Sequence, residues 1–265
     1  MAFHLTNLPT HRLFSLVFFF LLATNINSAQ PLSFNFNKLT NGNPELIIQG
    51  DAHFVDGGFV ALTNRTPPAT TTGRALYKTP VTLWNDTTGQ VASFNTSFSF
   101  VVESPEEQHC PTDGLIFFIA PLDTVIPNNS DSRYLGVVDG KNAINRFVGL
   151  EFDLYPNYFD PYMRHIGIDV NSLISLKTEK WNWVSDSLTK VTITYDSPSN
   201  ELSALVTYEN GEYTSIAQAV DLKTVLPNIV RIGFSATSKT GVAHNIHSWS
   251  FASDLETTMS SVSDI

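Results

Sequence analysis

From Pro31 onward the chain alternates short apolar runs with turn residues. LSFNF, ELIIQG, HFVDGGFVAL, VASFNTSFSFVVE, GLIFFIA, FVGLEFD, HIGIDV, KVTITYD, ELSALVTY, IVRIGFSA and HSWSFA are rich in β-branched and aromatic residues, and many place an apolar side chain at every second position. That period turns one face of a strand toward a core and the other toward water. Asn41-Gly42, Asp56-Gly57-Gly58 and Asn210-Gly211 supply turns between runs, and only residues 221–226 read as a short helical turn. The pattern predicts an all-β sandwich. No internal repeat or linker interrupts it, and 265 residues suit one domain of this kind, long enough to bury a full core.

The N-terminus departs from the pattern. His11 and Arg12 precede the apolar run LFSLVFFFLLA, and polar TNINSA follows, with Ser28 and Ala29 as small residues before a cleavage point. The run is too short to span a bilayer, so residues 1–29 read as a secretory signal peptide. A mature domain over 30–255 and a polar tail over 256–265 follow, with no later segment fit to be a transmembrane anchor. Four sequons, at Asn64, Asn85, Asn95 and Asn128, agree with a secreted glycoprotein, extracellular or vacuolar, and Pro67 directly after the first weakens that one. Cys110 is alone, so no intramolecular disulfide forms and stability must come from the core. Fifteen basic residues against twenty-five acidic ones give a net charge of −10, with no basic cluster, which argues against nucleic acid as a partner.

Residues 149–175, GLEFDLYPNYFDPYMRHIGIDVNSLIS, concentrate the candidate chemistry. Alternation places Glu151 and Asp153 on one face of a strand, two residues apart. Pro156 and Pro161 then break the strand, in a loop holding Tyr155, Asn157 and Asp160, and His165 opens the next strand. Asp153, the Tyr155 carbonyl, Asn157 and Asp160 form an oxygen set suited to Ca²⁺. Glu151, Asp153 and Asp160 with the His165 imidazole suit an octahedral ion such as Mn²⁺. On spacing alone, a solvated acidic face with a strand-end histidine is an equal alternative.

This stretch resembles the metal- and sugar-binding hairpin of the legume lectins. Glu151, Phe152, Asp153, Asn157, Asp160, Pro161, His165 and the run Ile166 to Ser172 match, and the family's threonine is Leu154, which is not a ligand position. The resemblance extends from Ser33 through VASFNTSFSF and VTITYD to Ala252. It implies the legume-lectin jelly-roll β-sandwich, with a flat back sheet and a curved front sheet. It also implies structural Mn²⁺ on Glu151, Asp153, Asp160 and His165, with Ser175 acting through a water, and structural Ca²⁺ on Asp153, the Tyr155 carbonyl, Asn157 and Asp160.

The resemblance further implies a sugar site built from four loops. Pro111-Thr112-Asp113-Gly114 matches the family's P-A-D-G, in which the aspartate accepts two hydrogen bonds from sugar hydroxyls and follows a cis peptide; Thr112 replaces the alanine. In the metal loop, Asn157 would donate to the sugar and Tyr155 would stack on its C–H face. SDSRYLG at residues 130–136 departs from the family's G-G-x-L-G, with Arg133 in place of a glycine whose N–H approaches the sugar, so bulk and lost freedom at positive φ are expected there. The fourth loop is TSKTGVA at 237–243.

The leading expectation is a Ca/Mn-dependent carbohydrate-binding lectin recognising glycans or glycoproteins, and the resemblance implies pairing through the flat back sheet as a homodimer or homotetramer. The alternative is a plant defence or storage protein with weakened or lost sugar binding, like the family's arcelin and amylase-inhibitor relatives, and Arg133 is its main support. Catalysis is not expected. Sandwich glycosidases use E-x-D-x-x-E, and here Pro156 holds the position of the second glutamate, so Glu151 and Asp153 lack the acid partner.

Overall fold

The computed structural model describes residues 31–65, 70–105 and 111–254. The expected signal peptide, the C-terminal tail, Cys110 and Pro67 lie outside the described residues.

Sixteen strands are present among these residues: β1 (Leu32–Phe36), β2 (Leu46–Gly50), β3 (His53–Val55), β4 (Phe59–Ala61), β5 (Thr71–Tyr77), β6 (Val81–Thr82), β7 (Ser93–Glu103), β8 (Gly114–Pro121), β9 (Val148–Asp153), β10 (His165–Val170), β11 (Lys177–Lys180), β12 (Leu188–Asp196), β13 (Glu201–Thr207), β14 (Tyr213–Ala219), β15 (Ile229–Ser238) and β16 (Ala243–Asp254). One α-helix, α1 (Leu222–Val225), is capped by the Asp221 side chain accepting from the Lys223 N–H, and a 3-10 turn spans Ser132–Tyr134. The strands form two antiparallel sheets. One, the back sheet, runs β14-β13-β12-β7-β16-β4-β3 with β1 beside β16, and the other, the front sheet, runs β11-β10-β9-β8-β15-β5-β2 with β6 beside β15.

Every apolar run of the sequence appears as a strand, and HFVDGGFVAL divides into β3 and β4 where Gly57 and Gly58 take positive φ at the turn. Four strands lack an apolar signature: β5, β6, β11 and β14. β5 (TTGRALY) is interrupted by Gly73 and Arg74, and a Cβ on Gly73 would stand 2.1 Å from the Leu62 carbonyl oxygen, so close backbone approach outranks propensity there. β14 is a polar edge strand with only Ile216 buried.

The main core lies between the sheets and is strongly aromatic. Along β7, Phe94, Thr96, Phe98 and Phe100 face inward while Asn95, Ser97 and Ser99 face outward. Outside, Asn95 donates to Thr194 at 3.0 Å, and the hydroxyls of Ser97 and Thr192 and of Ser99 and Ser248 pair at 3.0 and 2.6 Å. Inside, Phe98 of the back sheet meets Phe234 of the front sheet edge-on, with centroids 4.9 Å apart, and Phe100 meets Phe152 at 4.9 Å. A smaller cluster covers the other face of the front sheet, where Ile116 and Phe118 alternate with core residues and pack with Leu135, Val137, Phe147 and Leu173 of the loops above.

Trp249 ties these layers together. It is 1% exposed, its indole N–H donates to Thr96 Oγ1 at 3.0 Å, and its ring meets Phe34 and Phe234 edge-on at 4.9 and 4.8 Å. Trp249→Ala is expected to lower stability by about 3–5 kcal/mol through lost burial and the cavity left behind. A denaturant midpoint shift at unchanged slope checks this, and a loss below about 1 kcal/mol would remove Trp249 from its central role.

Candidate functional site

The hairpin of β9 and β10 fixes the candidate ligands by register. His165 lies opposite Asp153, Gly167 opposite Glu151 and Asp169 opposite Gly149, so Glu151, Asp153 and His165 share one face with Asp169 while Leu150, Phe152, Ile166 and Ile168 enter the core behind them. Glu151, Asp153 and His165 are buried, with ligand atoms all within 4.8 Å of one another. His165 Nε2 stands 2.9 Å from Glu151 Oε1, and the Ser175 hydroxyl donates to the same oxygen at 2.6 Å. A Cβ on Gly167 would stand 2.2 Å from Ser175 Oγ and 2.6 Å from Glu151 Oε1, so only glycine leaves room for this cradle.

The loop contributes a set of oxygens. Asp153 Oδ1 accepts from the Tyr155 N–H at 2.6 Å, Asp160 Oδ2 from the Asn157 N–H at 2.7 Å, and the Tyr155 carbonyl from Asn157 Nδ2 at 2.9 Å. Asp160, partly exposed, is outside the close trio but interacts electrostatically with Glu151 and His165. All seven residues expected to ligate metal, namely Glu151, Asp153, Tyr155, Asn157, Asp160, His165 and Ser175, therefore gather on this hairpin and the turn after it.

Burial and mutual repulsion dominate the electrostatics. Burial raises the Asp153 pKa well above its ordinary value, and the charges of Glu151 and Asp160 raise it further. Asp169, an acid outside the expected ligand set, is fully buried beside Glu151 and Ser175, and burial first and Glu151 second hold its pKa well up. Burial lowers the His165 pKa, but the Glu151 hydrogen bond and the charges of Glu151 and Asp160 outweigh it, and the net direction is upward. Clustered acids with a single imidazole are a donor set short of positive charge, and hard oxygens with one nitrogen fit divalent cations of the Ca²⁺ and Mn²⁺ type.

Asp113 stands beside this hairpin and is bound to it, because its carbonyl accepts from the Leu154 N–H at 2.9 Å. The Thr112–Asp113 peptide is cis, as in the family pattern. Asp113 is 4% exposed; Oδ1 accepts from the Ser132 hydroxyl at 3.0 Å, and Oδ2 is buried with no partner among the described residues. Burial pushes its pKa up to about 6 against the opposing effects of Ser132 and Lys239. A buried acceptor with an unused oxygen suits a ligand carrying hydroxyls. Thr112, in the place of alanine, joins the fourth loop, its N–H donating to Thr240 Oγ1 at 3.0 Å.

The expected backbone penalty at Arg133 is absent. The left-handed positions of this loop are Ser132 (φ 58°), Leu135 (φ 48°) and Gly136 (φ 68°), and Arg133 is not among them. Buried side chains hold the loop's carbonyls: Thr237 Oγ1 donates to Ser132 O at 2.6 Å, Ser235 Oγ to Leu135 O at 2.6 Å, and Arg74 Nε to Gly136 O at 3.0 Å. Arg74 is fully buried against the Phe118 ring, and burial pushes its pKa down to about 9. Neither Ser132 nor Arg74 carries a local sequence signal for these roles, because their partners lie 19 and 62 positions away. Asp169 had a readable signal, since its spacing from His165 places both on one strand face.

Tyr155 is 42% exposed and Asn157 half-buried at the mouth of the loop. Asn64, Asn85, Asn95 and Asn128 all reach solvent, although Asn85 Oδ1 accepts the N–H groups of Thr87 and Thr88 in its own turn. No helix among the described residues is long and apolar enough to cross a membrane.

Comparison with known proteins agrees with this geometry. The model of the legume lectin domain matches residues 31–264. The chain is 64% identical over 260 residues to a non-seed lectin of Pisum sativum, covering 96% of this chain and 97% of that one. It is 60% identical to a nodule lectin of the same plant, covering both chains in full. The structure of peanut lectin with a nine-residue peptide superposes with a TM-score of 0.82 at 49% identity, covering 87% of this chain and all of that one.

The raised pKa values define a pH dependence. A carboxylate whose folded pKa exceeds its unfolded value of 3.8 binds extra protons on folding, so the metal-free fold loses stability as pH rises from 3.8 through about 6 for Asp113, and the other raised groups act in the same direction. A cation bound by Asp153 and Asp160, whose pKa values burial likewise raises, replaces the extra protons on those two carboxylates. The gain in Tm on adding Ca²⁺ and Mn²⁺ to chelator-treated protein is therefore expected to be larger at pH 7 than at pH 5, and an equal gain at both would contradict the charge argument.

Proposed function

The chain belongs to the legume lectin family of non-catalytic carbohydrate-binding proteins, and from this premise we propose that it is a secreted, Ca²⁺- and Mn²⁺-dependent lectin. The observation that carries the reading is the coupling of a buried, cation-deficient ligand cluster to a buried Asp113 with a free oxygen, through the hydrogen bond from Leu154. Glu151, Asp153, Asp160 and His165, with Ser175 through water, would hold Mn²⁺. Asp153, the Tyr155 carbonyl, Asn157 and Asp160 would hold Ca²⁺. When bound, these ions supply structural charge neutralisation and no reaction chemistry.

Asp113 accepts hydroxyls of the sugar, Asn157 donates, and Tyr155 offers a ring to its apolar face. Arg133 lines the rim. The loop's left-handed positions at Ser132, Leu135 and Gly136 weigh against a binding-dead defence or storage role, since Arg133 needs no glycine-only conformation. The mature domain runs over 30–255 after removal of 1–29, with 256–265 as a tail, and the protein reaches the extracellular space or vacuole.

Purified protein loaded with both ions is expected to bind glycans on an array, and chelation should abolish that binding. Asp113→Asn should weaken it at least tenfold, on the order of 1.5–3 kcal/mol for a hydrogen bond to a charged group. Silence of the loaded wild type on a broad array would sink the reading.

Glycosylation at Asn64, Asn85, Asn95 and Asn128 is part of the same proposal, as is assembly into a homodimer or homotetramer. Asn95 stands on the outer face of the back sheet, between the chains of Thr194 and Ala252, where a second copy would pack. A glycan there and face-to-face pairing exclude each other locally. Sedimentation should therefore show more dimer for Asn95→Gln than for a wild type occupied at Asn95, and an unchanged distribution would separate that glycan from assembly.

A further inference from the structure

Arg133 brings a permanent cation to the rim of the Asp113 pocket. Its guanidinium carbon lies 5.0 Å from the Tyr134 ring centroid and 5.8 Å from that of Tyr158, and one nitrogen donates to Tyr134 Oη at 3.0 Å. The two rings belong to different loops, so the guanidinium bridges the loop that carries Ser132 and the loop that carries Asn157. Among the described residues no carboxylate pairs with it. The ion pairs among the described residues are Arg65–Glu103, His165–Glu151 and Lys177–Glu179. Of the five donors of a guanidinium, one is engaged with Tyr134, and the side chain is exposed, so the others face solvent.

The position is continuous with the sugar pocket, because Ser132, the preceding residue, donates directly to Asp113 Oδ1. A second cation, Lys239, is near enough to act on the Asp113 carboxylate. Asp131 is the exposed acid on the same rim and partly offsets this field, so selectivity rests on the fixed guanidinium plane rather than on net potential. A planar fork held between aromatic rings loses little freedom when it takes a two-oxygen anion. In a protein of net charge −10, such a group beside a hydroxyl-binding pocket is a selective feature.

We propose that Arg133, braced by Tyr134 and Tyr158, forms a subsite for the carboxylate or sulfate of an acidic sugar linked to the residue that Asp113 binds. The inference rests on the sugar-site reading above and names the class of glycan that site prefers.

The test uses the full chain loaded with Ca²⁺ and Mn²⁺ against matched trios of oligosaccharides: neutral, carboxylated and sulfated forms of one backbone. At low salt the wild type is expected to bind an acidic member about tenfold more tightly than its neutral partner. Comparing the carboxylated and sulfated arms identifies the anion. Arg133→Gln should bring the acidic-to-neutral ratio close to one, and Arg133→Lys, which keeps the charge without the fork, should restore only part of it. A wild-type ratio of one, or an acidic preference that survives Arg133→Gln and passes to Lys239, overturns the inference while leaving neutral sugar binding intact. Silence toward every member would instead bring down the sugar-site reading, and this subsite with it.

Discussion

Burying like charge is the constraint around which the front of the molecule is built. Glu151, Asp153 and Asp169 lie under the surface on neighbouring strands, with Asp160 at their edge and one imidazole among them. Carboxylates held together out of water repel one another and lose hydration, and hydrogen bonds from Ser175 and the Tyr155 N–H return only part of that free energy. A fold that retains such a cluster has a place for counter-charge. The loop between the strands carries its oxygens on a few backbone turns, a form suited to closing on cations.

The sandwich makes that concentration of charge possible. Each acid on β9 has an apolar neighbour on the reverse face, and Phe152, between Glu151 and Asp153, is held edge-on against Phe100 and Trp181. Moving the strand by one residue would exchange the acids with the core, which the aromatic packing forbids. Gly167 and Gly149 sit opposite Glu151 and Asp169 because a side chain at either position would collide with its neighbours. Packing in the core thus fixes the ligand positions, and Leu154 carries that order to Asp113.

The loop over residues 130–136 shows a second division of labour. Its carbonyls are gripped from beneath by Thr237, Ser235 and Arg74, and its left-handed turns fall on Ser132, Leu135 and Gly136. The position of Arg133 is left with ordinary backbone geometry, so an arginine is accommodated, and its side chain lies against two tyrosine rings. Arg74 can be buried without a carboxylate partner because the Gly136 carbonyl, the Thr124 hydroxyl and the Phe118 ring receive it.

By itself the sequence determined the all-β class, the turns at paired glycines, and the gathering of acids, loop oxygens and histidine on one hairpin. Those features follow from the two-residue period of a strand and from residues that lie close along the chain. Tertiary structure alone decided what depends on distant segments meeting. β5 and β14 are strands because neighbours pair with them, against weak local signals. Ser132 reaches Asp113 across nineteen positions and Arg74 reaches Gly136 across sixty-two. The burial of Asp169 and the bracing of Arg133 by two tyrosines likewise arise only when separate loops close over the front sheet. A side chain's partner there is set by packing, which no local pattern encodes.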